Sequence, residues 1–162
     1  MTPSKLLPRL NEVKTLIRKY DASRDTDAIL HIFHQASLLA HPFLTPEFLE
    51  KTMTDIREVY LPEVQTFVLC PDPHTEPVAF ISLMGSEVAA LFALPEVHGR
   101  GHGRALMDHA VHRHGARDVV VFRDNDIGRR FYARYGFVEK GEFLHEETGQ
   151  ACLAVTLPDP AL

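Results

Sequence analysis

The sequence predicts a mixed α/β domain of the α+β kind, with a twisted, mostly antiparallel sheet of about six to seven strands and about four helices. Three observations carry that reading. Two segments with helical periodicity stand together near the start, after one strand-like run. Three apolar runs, "TFVLC", "PVAFISLM" and "SEVAALFAL", then follow with only turn residues between them, the pattern of antiparallel neighbours. Finally, "VHGRGHGRALM" (Val97 to Met107) leads through a helix into the short buried strand "DVVVF", which makes a parallel βαβ step.

Taken in order, "VKTLIRKY" is the first strand, after an N-terminal lead over residues 1–12. From Asp25 to Ala40, Ile29, Ile32, Phe33, Ala36 and Leu39 recur at helical spacing. "HPFL" interrupts, and Thr45-Pro46 opens a second helix with Thr as N-cap and Pro in the first position. Leu49, Met53, Ile56 and Tyr60 form its apolar stripe. The prolines of "PDPHTEP" turn the chain between the next two strands, and Pro95 ends the third. A helix runs to about His114, and "NDIGRRFYARYGF" holds another from about Asp126 to Arg134, stopped by Gly136. "FVEKGEFL" and "ACLAVTLP" are the last strands, and residues 159–162 form a tail. Neither a repeat nor a low-complexity linker divides residues 13–158, which are read as one domain.

Composition narrows the function. The chain has 162 residues, 45% of them hydrophobic and 24% charged, ordinary values for a globular domain. Seventeen Lys and Arg against 22 Asp and Glu give a net charge of −5, which disfavours nucleic acid as a partner. Apolar runs are too short to cross a membrane. "MTPSKLLPRLNEV" does not read as a signal peptide, so a cytoplasmic location is expected. Cys70 and Cys152 do not suggest a disulfide framework, and their apolar surroundings favour inert buried thiols over nucleophiles. His31/His34 and His109/His112 have helical spacing, but without a completing carboxylate or thiolate no metal site is predicted.

Gly99, Gly101 and Gly103 stand where the third of the three central strands gives way to a helix. Unpaired N–H groups and the positive helix end attract anions there, and glycine lets the backbone approach a phosphate. Arg100 and Arg104 add positive charge. A flexible, solvated turn is the plainer explanation of one or two such glycines, whereas three with two arginines favour a phosphate cradle. Counting from Gly99 and Gly101, Arg104 stands where a dinucleotide fingerprint needs its third glycine, and the Gly-Lys-Ser/Thr of a Walker loop is absent.

"LPEVHGRGHGRALM" resembles the acetyl-CoA pyrophosphate loop of the GNAT superfamily of N-acetyltransferases, whose pattern is Arg or Gln, two residues, Gly, one residue, then Gly or Ala. His98 stands in the first place, a departure, and Gly101 and Gly103 in the others. "NDIGRRFYARYGF" resembles the family's last signature, with Asn125, Gly128, Phe131, Tyr132, Gly136 and Phe137 in its places. Gly128 replaces the more usual Ala. "IRKYDASRDTDAILHIFHQASLLAHPFL" is similar to the opening of small bacterial members, so the resemblance covers about Leu16 to Leu157.

The resemblance implies an acetyl-CoA-dependent transfer of an acetyl group to a primary amine of a small molecule or peptide. Leu91, Phe92 and Ala93 would offer backbone groups to the pantetheine and the thioester oxygen, the latter in an oxyanion-hole role. Gly99, Arg100, Gly101, His102, Gly103 and Arg104 would hold the phosphates, and Asn125 the pantetheine arm. Asn125 is equally a plain helix N-cap. Tyr132 is the expected catalytic residue, a phenol that serves the departing sulfur, with a core aromatic as the alternative. The base is open among His41, Glu58, Glu87 and a water chain; His41, in the break between the early helices, is also the candidate acceptor-side residue. Dimerisation, common in the family, admits a homodimer. The competing function is a non-catalytic acyl-CoA-binding sensor or interaction protein.

Overall fold

A computed structural model describes residues 15–159. The predicted lead over residues 1–12, the first two residues of "VKTLIRKY" and residues 160–162 lie outside the described part. Seven strands form one sheet: β1 (Leu16–Lys19), β2 (Gln65–Cys70), β3 (Ala79–Met84), β4 (Glu87–Ala93), β5 (Asp118–Phe122), β6 (Val138–Leu144) and β7 (Ala151–Thr156). Their spatial order is β1-β2-β3-β4-β5-β7-β6. Every pairing is antiparallel except β4 with β5. The fold class and all seven strands agree with the sequence reading.

Four helices flank the sheet: α1 (Thr26–Ala40), α2 (Pro46–Asp55), α3 (His102–His114) and α4 (Asp126–Tyr135). Alternation along the central strands supplies two cores, one on each face. Phe67 and Leu69 of β2 and Ala79, Ile81 and Leu83 of β3 pack with Leu106, Met107 and Ala110 of α3 and Tyr132 of α4. Val68, Cys70 and Phe80 point the other way, onto Ile29, Ile32 and Phe33 of α1 and Leu49 of α2. Strands buried on both faces read as continuous apolar runs, which is why these segments show little polar alternation.

Local chemistry sets the helix ends. Thr45 caps α2 by accepting from the Phe48 amide at 3.1 Å, as its sequence predicts. The expected stripe to Tyr60 is interrupted, however: after Asp55 a π-helical turn, Ile56–Tyr60, leads into a single α-turn, Leu61–Glu63. Pro62 lacks an N–H for the Glu58 carbonyl and crowds it, so the ladder widens just before the proline. The bonding slip brings Leu61 into the core. At the other end, Arg18 of β1 grips buried Asp25 with two hydrogen bonds of 2.6 and 2.9 Å, tying the edge strand to the start of α1.

One irregularity positions the site. β3 and β4 lose register where Ser82 faces Ala90 and Leu83 faces Val88, leaving Ala89 as an extra residue in β4. Such a bulge bends the strand and increases its twist. β4 therefore pairs with β5 only at Glu87–Asp118 and Val88–Val119, and the two then diverge. A V-shaped opening results, with the β4 backbone beyond Val88 on one arm and β5 on the other.

Candidate active site

The opening continues into a cleft of about 520 Å³ between α3 and α4, lined by β4, the glycine loop and both helices. Leu91, Phe92, Ala93, Gly99, Gly101, His102, Gly103, Arg104, Asn125 and Tyr132 all line it. These positions span more than forty residues of chain and meet because β4 and α4 flank one divergence in the sheet. Arg100 is exposed and outside the cleft lining.

Each glycine of the loop has its own reason. Gly99 and Gly101 adopt φ of +81° and +82°, conformations that side chains resist. Gly103 has an ordinary helical backbone, but a Cβ there would meet the Phe131 ring of α4 at 3.1 Å. His98 ties the loop down: its Nε2 lies 3.1 Å from the Ala93 carbonyl at the end of β4. The first bond of α3 runs from the Ala105 amide to the Gly101 carbonyl, and Gly101 brings no side-chain cap. The N–H groups of His102, Gly103 and Arg104 thus lack intrahelical acceptors at the cleft, an anion-binding arrangement.

Across the cleft, α4 presents Ile127, Gly128, Arg130, Phe131, Arg134 and Tyr135 as well as Tyr132. Sequence reasoning placed Tyr132 and the motif residues but missed Arg130 and Arg134 as cleft residues. Their positions three and seven residues after Ile127, and four from each other, put them on one helix face, and that spacing is the signal that would have found them. None of Arg104, Arg130 and Arg134 takes part in an ion pair among the described residues. Arg104 instead lies over the Tyr135 ring, 5.3 Å from its centroid, and the Tyr135 hydroxyl donates to Asp108 at 2.7 Å. Those contacts join α3 to α4. Burial, then the Asp108 hydrogen bond, push the Tyr135 phenol up to about 12.

Tyr132 is 8% exposed, with its ring against Phe131 and Phe137. Burial raises its phenol above the ordinary range, so the hydroxyl keeps its proton at neutral pH. Asn125 caps α4: its Oδ1 accepts from the Gly128 amide at 2.8 Å. Its Nδ2 meets Nε2 of His41 at 3.2 Å.

His41 is not an open acceptor-side group. It is 7% exposed, and its ring lies edge-on to Phe43, Phe92 and Phe122. Burial lowers it to about 4, so it is neutral and a weak base at neutral pH. Glu87 begins β4, at the end remote from Ala93, and Glu58 is exposed in the π-helical turn. Cys70 and Cys152 are both buried, and burial raises both thiols, which favours the protonated form. Among the described residues no group of three or more His, Cys, Asp or Glu could hold a metal ion, and no helix is long and apolar enough to cross a membrane.

Comparison with known proteins agrees with the geometry. The Acetyltransferase (GNAT) domain family matches residues 62–139, from the turn after α2 to the start of β6. The peptidyl-lysine N-acetyltransferase YiaC of Escherichia coli K12 is 30% identical over 123 residues, covering 75% of this chain and 82% of that protein. The peptidyl-lysine N-acetyltransferase YjaB of the same strain is 31% identical over 110 residues, 68% of this chain and 74% of its own. The solution structure of apo YjaB superposes with a TM-score of 0.79 at 25% identity, over 89% of this chain and 97% of that one. The PaiA N-acetyltransferase of Thermoplasma acidophilum, solved with coenzyme A, shares the fold at a TM-score of 0.68 and 15% identity, covering 89% and 99%.

Proposed function

The chain belongs to the GNAT acetyltransferases and moves acetyl groups from acetyl-CoA to an amine, and on that premise we propose that its acceptor is the ε-amine of a lysine in a peptide or protein. The observation that carries this acceptor is the similarity, over two thirds or more of the chain, to two proteins named peptidyl-lysine N-acetyltransferases. Their similarity favours an enzyme over a non-catalytic acyl-CoA sensor.

The cleft residues suit the co-substrate. Acetyl-CoA supplies an activated thioester, and the chain's part is to bind, orient and stabilise charge. The free N–H groups at the start of α3 take the pyrophosphate, with Arg104, Arg130 and Arg134 adding a positive field at the mouth. The β4 backbone at Leu91, Phe92 and Ala93 stays paired with β3 but is unpaired on the β5 side, and on that side it bonds the pantetheine amides and the thioester oxygen. Asn125 lines the cleft and keeps one N–H and one oxygen lone pair beyond its Gly128 and His41 bonds, which leaves it able to bond the same arm.

Tyr132 serves the sulfur as a hydrogen-bond donor. The attacking amine forms the C–N bond and gives up a proton, the C–S bond breaks, and the electron pair leaves on sulfur. A phenol raised above about 10 does not readily surrender its proton to a thiolate whose own conjugate acid lies near about 8.5, so the hydrogen bond rather than full transfer is its contribution. His41 is buried and weakly basic and both glutamates lie elsewhere, so the amine's proton leaves through water. With both cysteines buried as thiols, transfer is direct, without an acyl-enzyme.

The test is an acceptor panel with acetyl-CoA: lysine peptides, the same peptides with only a free N-terminus, and small amines such as polyamines. Mass spectrometry should locate acetyl on Nε of lysine, with kcat/KM highest for the lysine peptides. Exclusive turnover of small amines would remove the peptidyl-lysine acceptor while leaving acetyl transfer intact.

A further inference from the structure

His41 and Asn125 lie 84 positions apart in sequence and touch through one hydrogen bond. The direction of that bond is fixed by its surroundings. Because Asn125 Oδ1 accepts from the Gly128 amide, its Nδ2 is the atom turned to His41. Nδ2 only donates, so His41 Nε2 must be the acceptor and the imidazole proton sits on Nδ1. That Nδ1 is buried and has no hydrogen-bond partner among the described residues. Packing alone does not call for an imidazole here: three phenyl rings surround it, and a fourth would fill the nest without orphaning a donor.

A second observation bears on the same amide. A Cβ on residue 128 would stand 2.5 Å from Asn125 Nδ2 and 3.0 Å from its Cγ. Only glycine admits this placement of the cap, with its nitrogen directed to the histidine. Glycine at 128 is thus coupled sterically to the His41 contact.

We propose that His41 is a positioning residue for the transfer reaction: by accepting from Asn125 it holds the amide that caps α4 and faces the acetyl-CoA cleft, with Gly128 providing the room. The imidazole touches neither co-substrate nor reacting atoms. It acts from behind the cleft wall, through the Asn125 side chain, which lines the cleft and bonds the imidazole. The proposal rests on the cleft binding acetyl-CoA.

Calorimetric titration of the whole protein with acetyl-CoA tests it, alongside Tm and turnover. His41→Phe keeps the ring and removes the acceptor; it should leave Tm equal or higher yet weaken acetyl-CoA roughly tenfold. His41→Gln, whose side-chain oxygen restores an acceptor, should recover most of the affinity. Asn125→Ala should weaken binding at least as much, and adding His41→Phe to it should cost nothing further. Gly128→Ala, which favours helix and crowds the amide, should weaken binding without lowering Tm, and it supplies the test if the histidine variants fold poorly. Wild-type affinity in His41→Phe or in Gly128→Ala, or losses that simply multiply in the double variant, would overturn the positioning role. The cleft assignment fails separately, if the unaltered protein binds no acetyl-CoA.

Discussion

Gly103 of α3 and Phe131 of α4 face each other so closely that a Cβ on the glycine would stand 3.1 Å from the ring edge. The third glycine of the loop is therefore a packing residue between helices, whereas Gly101, at φ +82° with open space around it, is a conformational one. Substitution separates the two roles. Gly101→Val forces a side chain into the left-handed region, costs about 1–2 kcal/mol, and redirects the free N–H groups at the start of α3. Acetyl-CoA Kd should rise at least tenfold by calorimetric titration. Gly103→Ala keeps the backbone and asks only that Phe131 shift by a few tenths of an ångström, so Tm should fall by a few degrees with a smaller loss of affinity. A larger affinity loss at 103 than at 101 would show that the cradle is not set by the left-handed turn.

Tyr132→Phe deletes one oxygen and keeps the ring against Phe131 and Phe137. If the hydroxyl bonds the departing sulfur, that interaction strengthens in the transition state, so kcat falls while acetyl-CoA affinity holds. The expected loss is roughly 10- to 300-fold, below the top of the range for acid–base residues because a thiolate already leaves well. Steady-state kinetics with the best lysine peptide measures it. A folded Phe variant with full kcat would make Tyr132 a core aromatic and nothing more.

Acid should destabilise the protein through His41. Burial lowers its folded-state value from 6.5 to about 4, so below pH 6.5 the unfolded chain binds the proton that the folded chain refuses. The neutral histidine's contribution is complete above pH 6.5 and is lost progressively as pH falls toward 4. The full difference amounts to about 3 kcal/mol. Urea unfolding of wild type and His41→Phe at pH 7.5 and pH 4.5 isolates it, since carboxylates common to both cancel. Wild type should lose more stability than the variant between the two pH values; parallel losses would mean that the imidazole is not held neutral by the fold.

The sequence alone determined the element types and order, because they rest on local signals. Helical recurrence of Ile29, Ile32, Phe33 and Ala36, the Thr45-Pro46 start, and apolar runs between turn residues are short-range facts about backbone preference. The two glycine- and asparagine-bearing motifs are also contiguous, each one strand–helix or loop–helix junction, and through their resemblance to GNAT signatures Gly101, Gly103, Asn125 and Tyr132 could be named as candidates. The π-helical turn before Pro62 also follows from a local cause, although the apolar stripe to Tyr60 concealed it. Tertiary structure decided what depends on register and facing. The bulge at Ala89 opens β4 from β5 only because Ser82 and Leu83 pair with residues on either side of it. Arg130 and Arg134 became cleft residues when α4 turned one face toward α3. His41 reads in sequence as a turn residue before Pro42; its neutral, buried state and its bond to Asn125 arise from three aromatic rings and an amide contributed by distant segments. Periodicity encodes which side of an element is apolar, but desolvation and the direction of a hydrogen bond exist only once separate segments have packed together.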